Sequence, residues 1–328
     1  MSIVPARVLG LGVYVPERVL TNADLERMVD TSDEWIVTRS GIRTRRLAAE
    51  GEQTSDLAAE AGRRALAEAG LPPEAIELII VATVTMDTIF PATACLVQDK
   101  IGARNAGAYD LVNGCTGWLY GLVQAAALVA SGAHQHCLVI GADALSRVTD
   151  WEDRATCVLF GDGAGAVVVG PGEPDEGLLA FHFVNQGDNA QWLTLPAGGT
   201  AMRVTEEVRR RKDDCIKMVG REVFRLAVSG LPAVAETALQ KAGLTVADVD
   251  AVVMHQANLR IIQAVAERLG IPDEKVIVTV DQYGNNSAAT MPLAIDFARQ
   301  RGQIRRGDTL LLLGFGAGFS LGAAVWRW

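Results

Sequence analysis

The sequence predicts an α/β protein built from two similar halves, residues 1–174 and 175–328. Three observations carry that prediction. The first is composition. Of 328 residues, 49% are apolar, 21% charged and 5% aromatic, with 33 glycines. Glycine is thus about 10% of the chain against an ordinary 7% or so, which suits layers packed with close backbone approaches. A mean hydropathy of +0.20 excludes a disordered chain. The second is alternation. Apolar strands alternate with helical segments of roughly 12–18 residues, the signature of right-handed βαβ units in buried mixed sheets. The third is an internal repeat. Residues 69–81 align without a gap on residues 242–254. Further along, Gly114-Cys115 falls opposite Gly284-Asn285, Gly132 opposite Gly302, and Phe160-Gly161 opposite Phe315-Gly316. Four matches in one order are poorly explained by chance. No Ser/Gly linker separates the halves, so they are expected to pack as one body with the site where corresponding loops meet.

The elements follow in order. Thr21-Asn-Ala-Asp24 has the form of a capping box, and Ser32 opens a short helix before Trp35. Gly70 and Gly243 read as helix C-caps, each followed by an acidic turn and an apolar strand. Pro91 is expected in the first turn of a helix running to about Ile101. No Asp, Glu, Lys or Arg occurs between Asp110 and Asp143. That stretch contains polar residues, and Gly132 breaks it short of the roughly 20 residues a bilayer needs. It reads as a buried core helix and a buried strand, with no membrane partner. Segments 220–242 and 258–270 are strongly amphipathic.

Thirty basic residues against 39 acidic ones give a net charge of −9 and a pI near 5.1. This argues against nucleic acid as a partner, since that requires a basic face. It leaves room for a small basic patch that docks an acidic protein. The five cysteines form no C-x-x-C pair and are odd in number, which disfavours both a disulfide framework and a metal site. With no secretory h-region at the start, a cytoplasmic location is expected.

Among the cysteines, Cys95, Cys137 and Cys157 lie in apolar runs and read as small buried hydrophobes, while Cys215 sits in a charged segment. Cys115 alone follows a strand and precedes an uncharged helix. Unpaired N–H groups at a helix N-terminus favour a thiolate there. His255 follows the apolar run 249–254, at the kind of strand end where α/β sites lie. Asn285 is an ordinary turn residue until the repeat is considered: it occupies the place of Cys115 in the other half. A pseudo-twofold would bring both helix N-termini toward one centre, with His255 completing a Cys–His–Asn cluster. Such a cluster can hold an acyl group on sulfur and stabilise an enolate oxygen with two neutral donors. The loop through Ala317 can add a backbone N–H to an oxyanion hole, and Phe315 an apolar wall that disfavours a carboxylate.

Several runs together resemble one family: residues 31–43 around Trp35, Gly114-Cys115-Thr-Gly, Phe160-Gly-Asp-Gly-Ala-Gly165, Gly220-Arg-Glu-Val-Phe224, His255-Gln-Ala-Asn-Leu-Arg-Ile-Ile262, Tyr283-Gly-Asn-Asn-Ser-Ala-Ala289 and Gly314-Phe-Gly-Ala-Gly-Phe319. They resemble the thiolase-fold condensing enzymes of the β-ketoacyl-[acyl-carrier-protein] synthase III type, nearly end to end. The resemblance implies a thiolase-like fold layered αβαβα, with Cys115, His255 and Asn285 as a catalytic triad. It implies transfer of an acyl group from acyl-CoA, acetyl-CoA or another short primer, to Cys115. Decarboxylative condensation with malonyl-acyl-carrier-protein would follow. No cofactor is implied, since coenzyme A thioesters are substrates. By likeness, Trp35 and Arg154 would sandwich the adenine of coenzyme A and Arg39 would meet its phosphates. Gln256, Ala257, Asn258, Leu259 and Arg260 would border the carrier-protein site, and Phe90 would reach a partner subunit's acyl pocket in a homodimer. The chain departs from the usual pattern at Asn113, Trp118, Ala155 and Ala317, and its basic pair after His255 is reduced to Arg268.

Rival readings predict other features. A papain-type hydrolase predicts a secreted, disulfide-containing chain with its own cysteine signature. A nucleotide-binding dehydrogenase predicts a G-x-G-x-x-G between strand and helix. Neither pattern is present. A non-catalytic interaction protein leaves the equivalence of Cys115 and Asn285 unexplained. A related ketosynthase of secondary metabolism or long-chain condensation stays within the same chemistry.

Overall fold

The computed structural model describes residues 5–328. In the first half the chain forms β1 (Ala6–Tyr14), α1 (Asp33–Ser40), α2 (Thr54–Ala69), β2 (Leu78–Ala82), α3 (Thr93–Ile101), β3 (Gly107–Leu111), α4 (Gly117–Ala130), β4 (Cys137–Ala144) and β5 (Asp162–Pro171). In the second it forms β6 (Gly177–Asn185), α5 (Gly220–Ala242), β7 (Ala251–Met254), α6 (Leu259–Leu269), β8 (Val276–Ile277), α7 (Thr290–Gln300), β9 (Thr309–Gly316) and β10 (Ser320–Arg327). The first sheet runs β1-β5-β4-β2-β3 and the second β6-β10-β9-β7-β8, the same order strand for strand. Pairing sense is also repeated. β5 pairs antiparallel with β1 on one side and β4 on the other, and β2 pairs parallel with both β4 and β3. The second sheet matches them step for step.

Five layers result, and strand alternation shows why. On β2, Ile79 and Val81 pack outward on α2 and α3, with Leu57 and Val97. Leu78, Ile80 and Ala82, facing the other way, join a core shared by both sheets. That core contains α4 and α7, through Trp118, Leu122, Met291 and Ile295. The central helix α4 is flanked by a sheet on either side, which is why its sequence carries no charge. Beyond the second sheet, α5 and α6 cover Val252, Met254, Leu311 and Leu313 with Leu231, Ile262 and Val265.

Three expectations need correction. Helix α3 begins at Thr93 with Ala92 as its cap, so Pro91 lies ahead of the first turn. Cys95, expected in the core, is exposed on α3, because the apolar run around it wraps a helix with only one buried face. The fourth repeat match is displaced: Phe160-Gly161 lead into β5, whereas Phe315-Gly316 close β9, the counterpart of β4.

Candidate active site

A cavity of about 480 Å³ opens between the halves. Its deep end holds the buried side chains of Cys115, His255, Asn285 and Phe315, and its rim holds the exposed Arg39, Ala155, Arg221 and Arg260. The repeat explains the convergence. Cys115 lies in the tight turn Gly114–Thr116 that joins β3 to α4, and Asn285 in the turn between β8 and α7. A glycine precedes each, Gly114 at φ 54° and Gly284 at φ 66°, in the left-handed region that other residues rarely adopt. The Cys115 turn is pressed against the end of β9. A Cβ on Gly316 would stand 2.6 Å from the Cys115 nitrogen, and one on Gly114 would stand 2.8 Å from the Ala317 nitrogen. Ala317 itself is not among the residues with positive φ, so its side chain fits without strain.

Asn285 is held by its backbone, which exchanges hydrogen bonds with Leu159 and Gly161 at 2.9 and 3.0 Å. Its side-chain oxygen accepts from the Ser287 N–H at 2.9 Å, which leaves the amide NH₂ as a donor toward the cavity. His255 directly follows β7, its N–H donating to Leu313 O at 2.8 Å. Its Nδ1 lies 2.7 Å from Thr290 Oγ1, and its ring meets Phe315 edge-on at 5.1 Å. Burial pulls the His255 pKa down to about 3, so the imidazole is neutral at ordinary pH. Phe315 also stacks with Phe319, at 6.1 Å, so the apolar wall expected beside the histidine is built from two rings.

The thiol of Cys115 departs from expectation. Burial pushes its pKa up to about 12, partly offset by a hydrogen bond from the Ser287 hydroxyl, while the nearby Asp143 adds a smaller upward push. Helix position alone suggested a favoured thiolate; desolvation by both halves outweighs it. Asp143, Ser287, Thr290 and the rim residue Arg221 were all missed in the sequence. Asp143 is fully buried, and its Oδ1 accepts from the Thr83 and Thr85 hydroxyls and the Val84 and Thr85 N–H groups at 2.8–3.1 Å. Its burial raises its own pKa. Arg221 and Ser287 alone carried a signal, standing within the runs that begin at Gly220 and Tyr283.

At the rim, Arg154 lies over the Trp35 ring at 4.9 Å and donates to Asp30 O at 2.8 Å, while Arg39 lies 5.9 Å from the same ring. An aromatic base between Trp35 and Arg154 would need two van der Waals gaps, roughly 7 Å in all, so Arg154 must swing aside to admit one. Of the run expected at a docking surface, Arg260 is exposed and lies over Phe224 at 5.5 Å, and Asn258 caps α6 and donates to Arg39 O at 3.0 Å. Ala257 and Leu259 are half-buried against the core. Gln256 is a correction. It is fully buried, donating to Met254 O and Ile277 O and accepting from Thr279 N and Val280 N, so its side chain is not offered at the surface. Phe90 stands apart from the cavity, 84% exposed beside Ile89. Among the described residues, no group of acidic, Cys or His side chains could hold a metal ion, and no helix is long and apolar enough to cross a membrane.

Comparison with known proteins places this geometry. Family profiles described as 3-oxoacyl-[acyl-carrier-protein] synthase III match residues 109–187, and the corresponding C-terminal profile matches residues 239–328. A beta-ketoacyl-[acyl-carrier-protein] synthase III of Roseiflexus castenholzii is 50% identical over 323 residues, covering 98% of both chains. One of Desulfitobacterium hafniense is 48% identical over 321 residues, covering 98% of this chain and 97% of its own. The crystal structure of the Thermus thermophilus enzyme superposes with a TM-score of 0.91 at 50% identity, covering 98% and 99% of the two chains. A full-length likeness at this identity, on a thiolase fold with two matching halves, means that the chain belongs to the β-ketoacyl-[acyl-carrier-protein] synthase III family of condensing acyltransferases.

Proposed function

We propose that Cys115, His255 and Asn285 carry out the initiating condensation of fatty acid synthesis on coenzyme A and carrier-protein thioesters. The observation that supports this reading is the meeting of a thiol and two neutral donors at the closed end of one cavity. In the first half-reaction the Cys115 sulfur, as thiolate, attacks the carbonyl of a short acyl-CoA. The C–S bond to coenzyme A breaks, and the departing thiolate takes the proton that Cys115 gave up. In the second, malonyl-acyl-carrier-protein loses CO₂, and the electron pair left on carbon delocalises onto the thioester oxygen. His255 and the Asn285 amide donate to that oxygen, and Phe315 disfavours the carboxylate before it leaves. The enolate carbon attacks the acyl-Cys115 carbonyl, a C–C bond forms, and Cys115 leaves as thiolate. The N–H groups of Cys115 and Ala317, packed together through Gly114 and Gly316, supply the oxyanion hole.

Substrates enter past Trp35, Arg39 and Arg154, which hold coenzyme A once the stacked pair has parted. The exposed Arg39, Arg221 and Arg260 form a local basic rim on an acidic protein, suited to an acidic carrier. A second copy of the chain is expected against the exposed edge strand β3 and the apolar residues Ile89, Phe90 and Val112. The reading is tested by peptide mapping after incubation with acetyl-CoA. The acyl mass is expected on Cys115, and its appearance on another cysteine would overturn the assignment. Asn285→Asp replaces a donor with an acceptor and a charge. Condensation should fall by roughly a hundredfold or more while acylation of Cys115 largely survives.

A further inference from the structure

The buried hydroxyl of Thr290 has one hydrogen and two neighbours able to accept it. Its Oγ1 lies 2.7 Å from His255 Nδ1 and 2.9 Å from the carbonyl oxygen of Ser287. Both Thr290 and His255 are about 1% exposed, so water does not compete for either. A neutral imidazole carries its proton on one nitrogen only, and the partner of the other nitrogen decides which. If the hydroxyl hydrogen points to Ser287, Nδ1 must be the N–H, and Nε2 then faces the cavity as a bare acceptor. If it points to Nδ1, Nε2 carries the proton and faces the cavity as a donor. Only the second arrangement lets Nε2 donate to an oxyanion, and 2.7 Å lies within the range of an O–H donor. It gives up the alternative bond to the Ser287 carbonyl, because a hydroxyl has one hydrogen to direct.

We infer that Thr290 is a positioning residue for the condensation: its hydroxyl donates to His255 Nδ1 and thereby fixes the Nε2–H tautomer that hydrogen-bonds the enolate oxygen. The inference rests on the reading of His255 given above and adds the group that makes it a donor. A histidine held neutral by burial cannot become a two-sided donor by taking up a proton, so the tautomer decides whether it contributes at all. Thr290 is the first residue of α7, three residues after Ser287 and five after Asn285. One turn therefore presents the Asn285 amide and sets the His255 proton. Acylation of Cys115 requires no donor from Nε2, so the two half-reactions should respond differently to this hydroxyl.

The test combines a spectrum with a ratio. Protein labelled with ¹⁵N-histidine has four histidines, and His255 is identified as the signal lost in His255→Gln. The wild-type spectrum is expected to show His255 protonated at Nε2. Thr290→Val keeps the shape and removes the hydroxyl. It should erode that tautomer preference and lower condensation relative to Cys115 acylation by roughly 10–100-fold, the usual scale when the hydrogen-bond partner that orients a functional histidine is lost. Thr290→Ser should restore the ratio to within about threefold. A wild-type His255 protonated at Nδ1 would overturn the inference, and so would a Thr290→Val protein that keeps both tautomer and ratio. If Thr290→Val fails to fold, the wild-type spectrum still decides between the two tautomers. A wild-type protein that acylates but never condenses would instead sink the reaction assigned above, while the spectrum would still report on Thr290.

Discussion

At the residue scale, Cys115 shows where sequence context stops. Its place between strand and helix was legible, because the transition from an apolar strand through Gly114 to an uncharged helix is local. Its acidity was not, because the groups that desolvate it come from both halves. With the pKa pushed up to about 12, the thiolate is scarce at neutral pH, and its share rises with every unit of pH. Acylation of the free enzyme by a small thioester should therefore accelerate about tenfold per unit between pH 7 and 9. Rates measured at fixed acyl-CoA across that range check this; a plateau would mean that the helix N-terminus outweighs burial. His255 was legible only as a residue at a strand end. Thr290 and Asp143 were not legible at all, because a hydroxyl and a carboxylate in apolar runs acquire roles only from neighbours distant in sequence.

At the element scale, the repeat carried most of what could be read. The equivalence of the Gly114-Cys115 and Gly284-Asn285 turns follows from shared backbone geometry, which local sequence records. The displaced fourth match shows the limit. Two Phe-Gly pairs that look alike occupy different places because the β4–β5 connection is much longer than the β9–β10 turn. Strand β4 also meets the Asn285 turn directly. A Cβ on Gly141 would come within 2.3 Å of Ala288 O and 3.1 Å of Trp118 Cβ. Gly141→Ala should cost about 1–3 kcal/mol in unfolding free energy, as overpacked cores do. It should also lower condensation further than that loss explains, because the turn it displaces holds Asn285. Denaturant midpoints alongside condensation rates separate the two effects, and unchanged activity would show that the turn can yield without moving Asn285.

At the scale of the whole molecule, charge and topology do different work. A net charge of −9 would repel an acidic carrier, so the docking proposed above depends on the rim. Arg260→Glu should raise the KM for malonyl-acyl-carrier-protein and weaken its salt dependence, with a much smaller change for malonyl-CoA. Paired kinetics at two ionic strengths check this, and equal losses with both donors would assign Arg260 to the coenzyme A path. Composition made the α/β class legible and the repeat made the two halves legible. The face that a second copy would cover was not, since exposed apolar residues such as Ile89 and Val112 resemble core residues in a linear sequence.

The matching strand orders have a consequence for how the chain closes. β5 ends beside the start of β1, with Pro171 opposite Ala6, and β10 ends beside the start of β6, with Arg327 opposite Gly177. The Gly172 N–H donates to Pro5 O at 2.7 Å, and Arg7 pairs with Glu176 at 3.2 Å. The link from β5 to β6 and the approach of β10 to β1 are thus counterparts under the same pseudo-symmetry, and the described backbone comes back close to its own start. Joining residue 328 to residue 5 by a short flexible peptide and opening the chain within residues 172–176 moves the break from one counterpart to the other. Such a circular permutant should fold, acylate Cys115 and condense within about tenfold of the parent, since permutation succeeds at exposed connections between elements whose ends lie close. A permutant that folds yet cannot condense would mean that the covalent link between the halves, and not their packing alone, sets the register of Cys115 against His255 and Asn285.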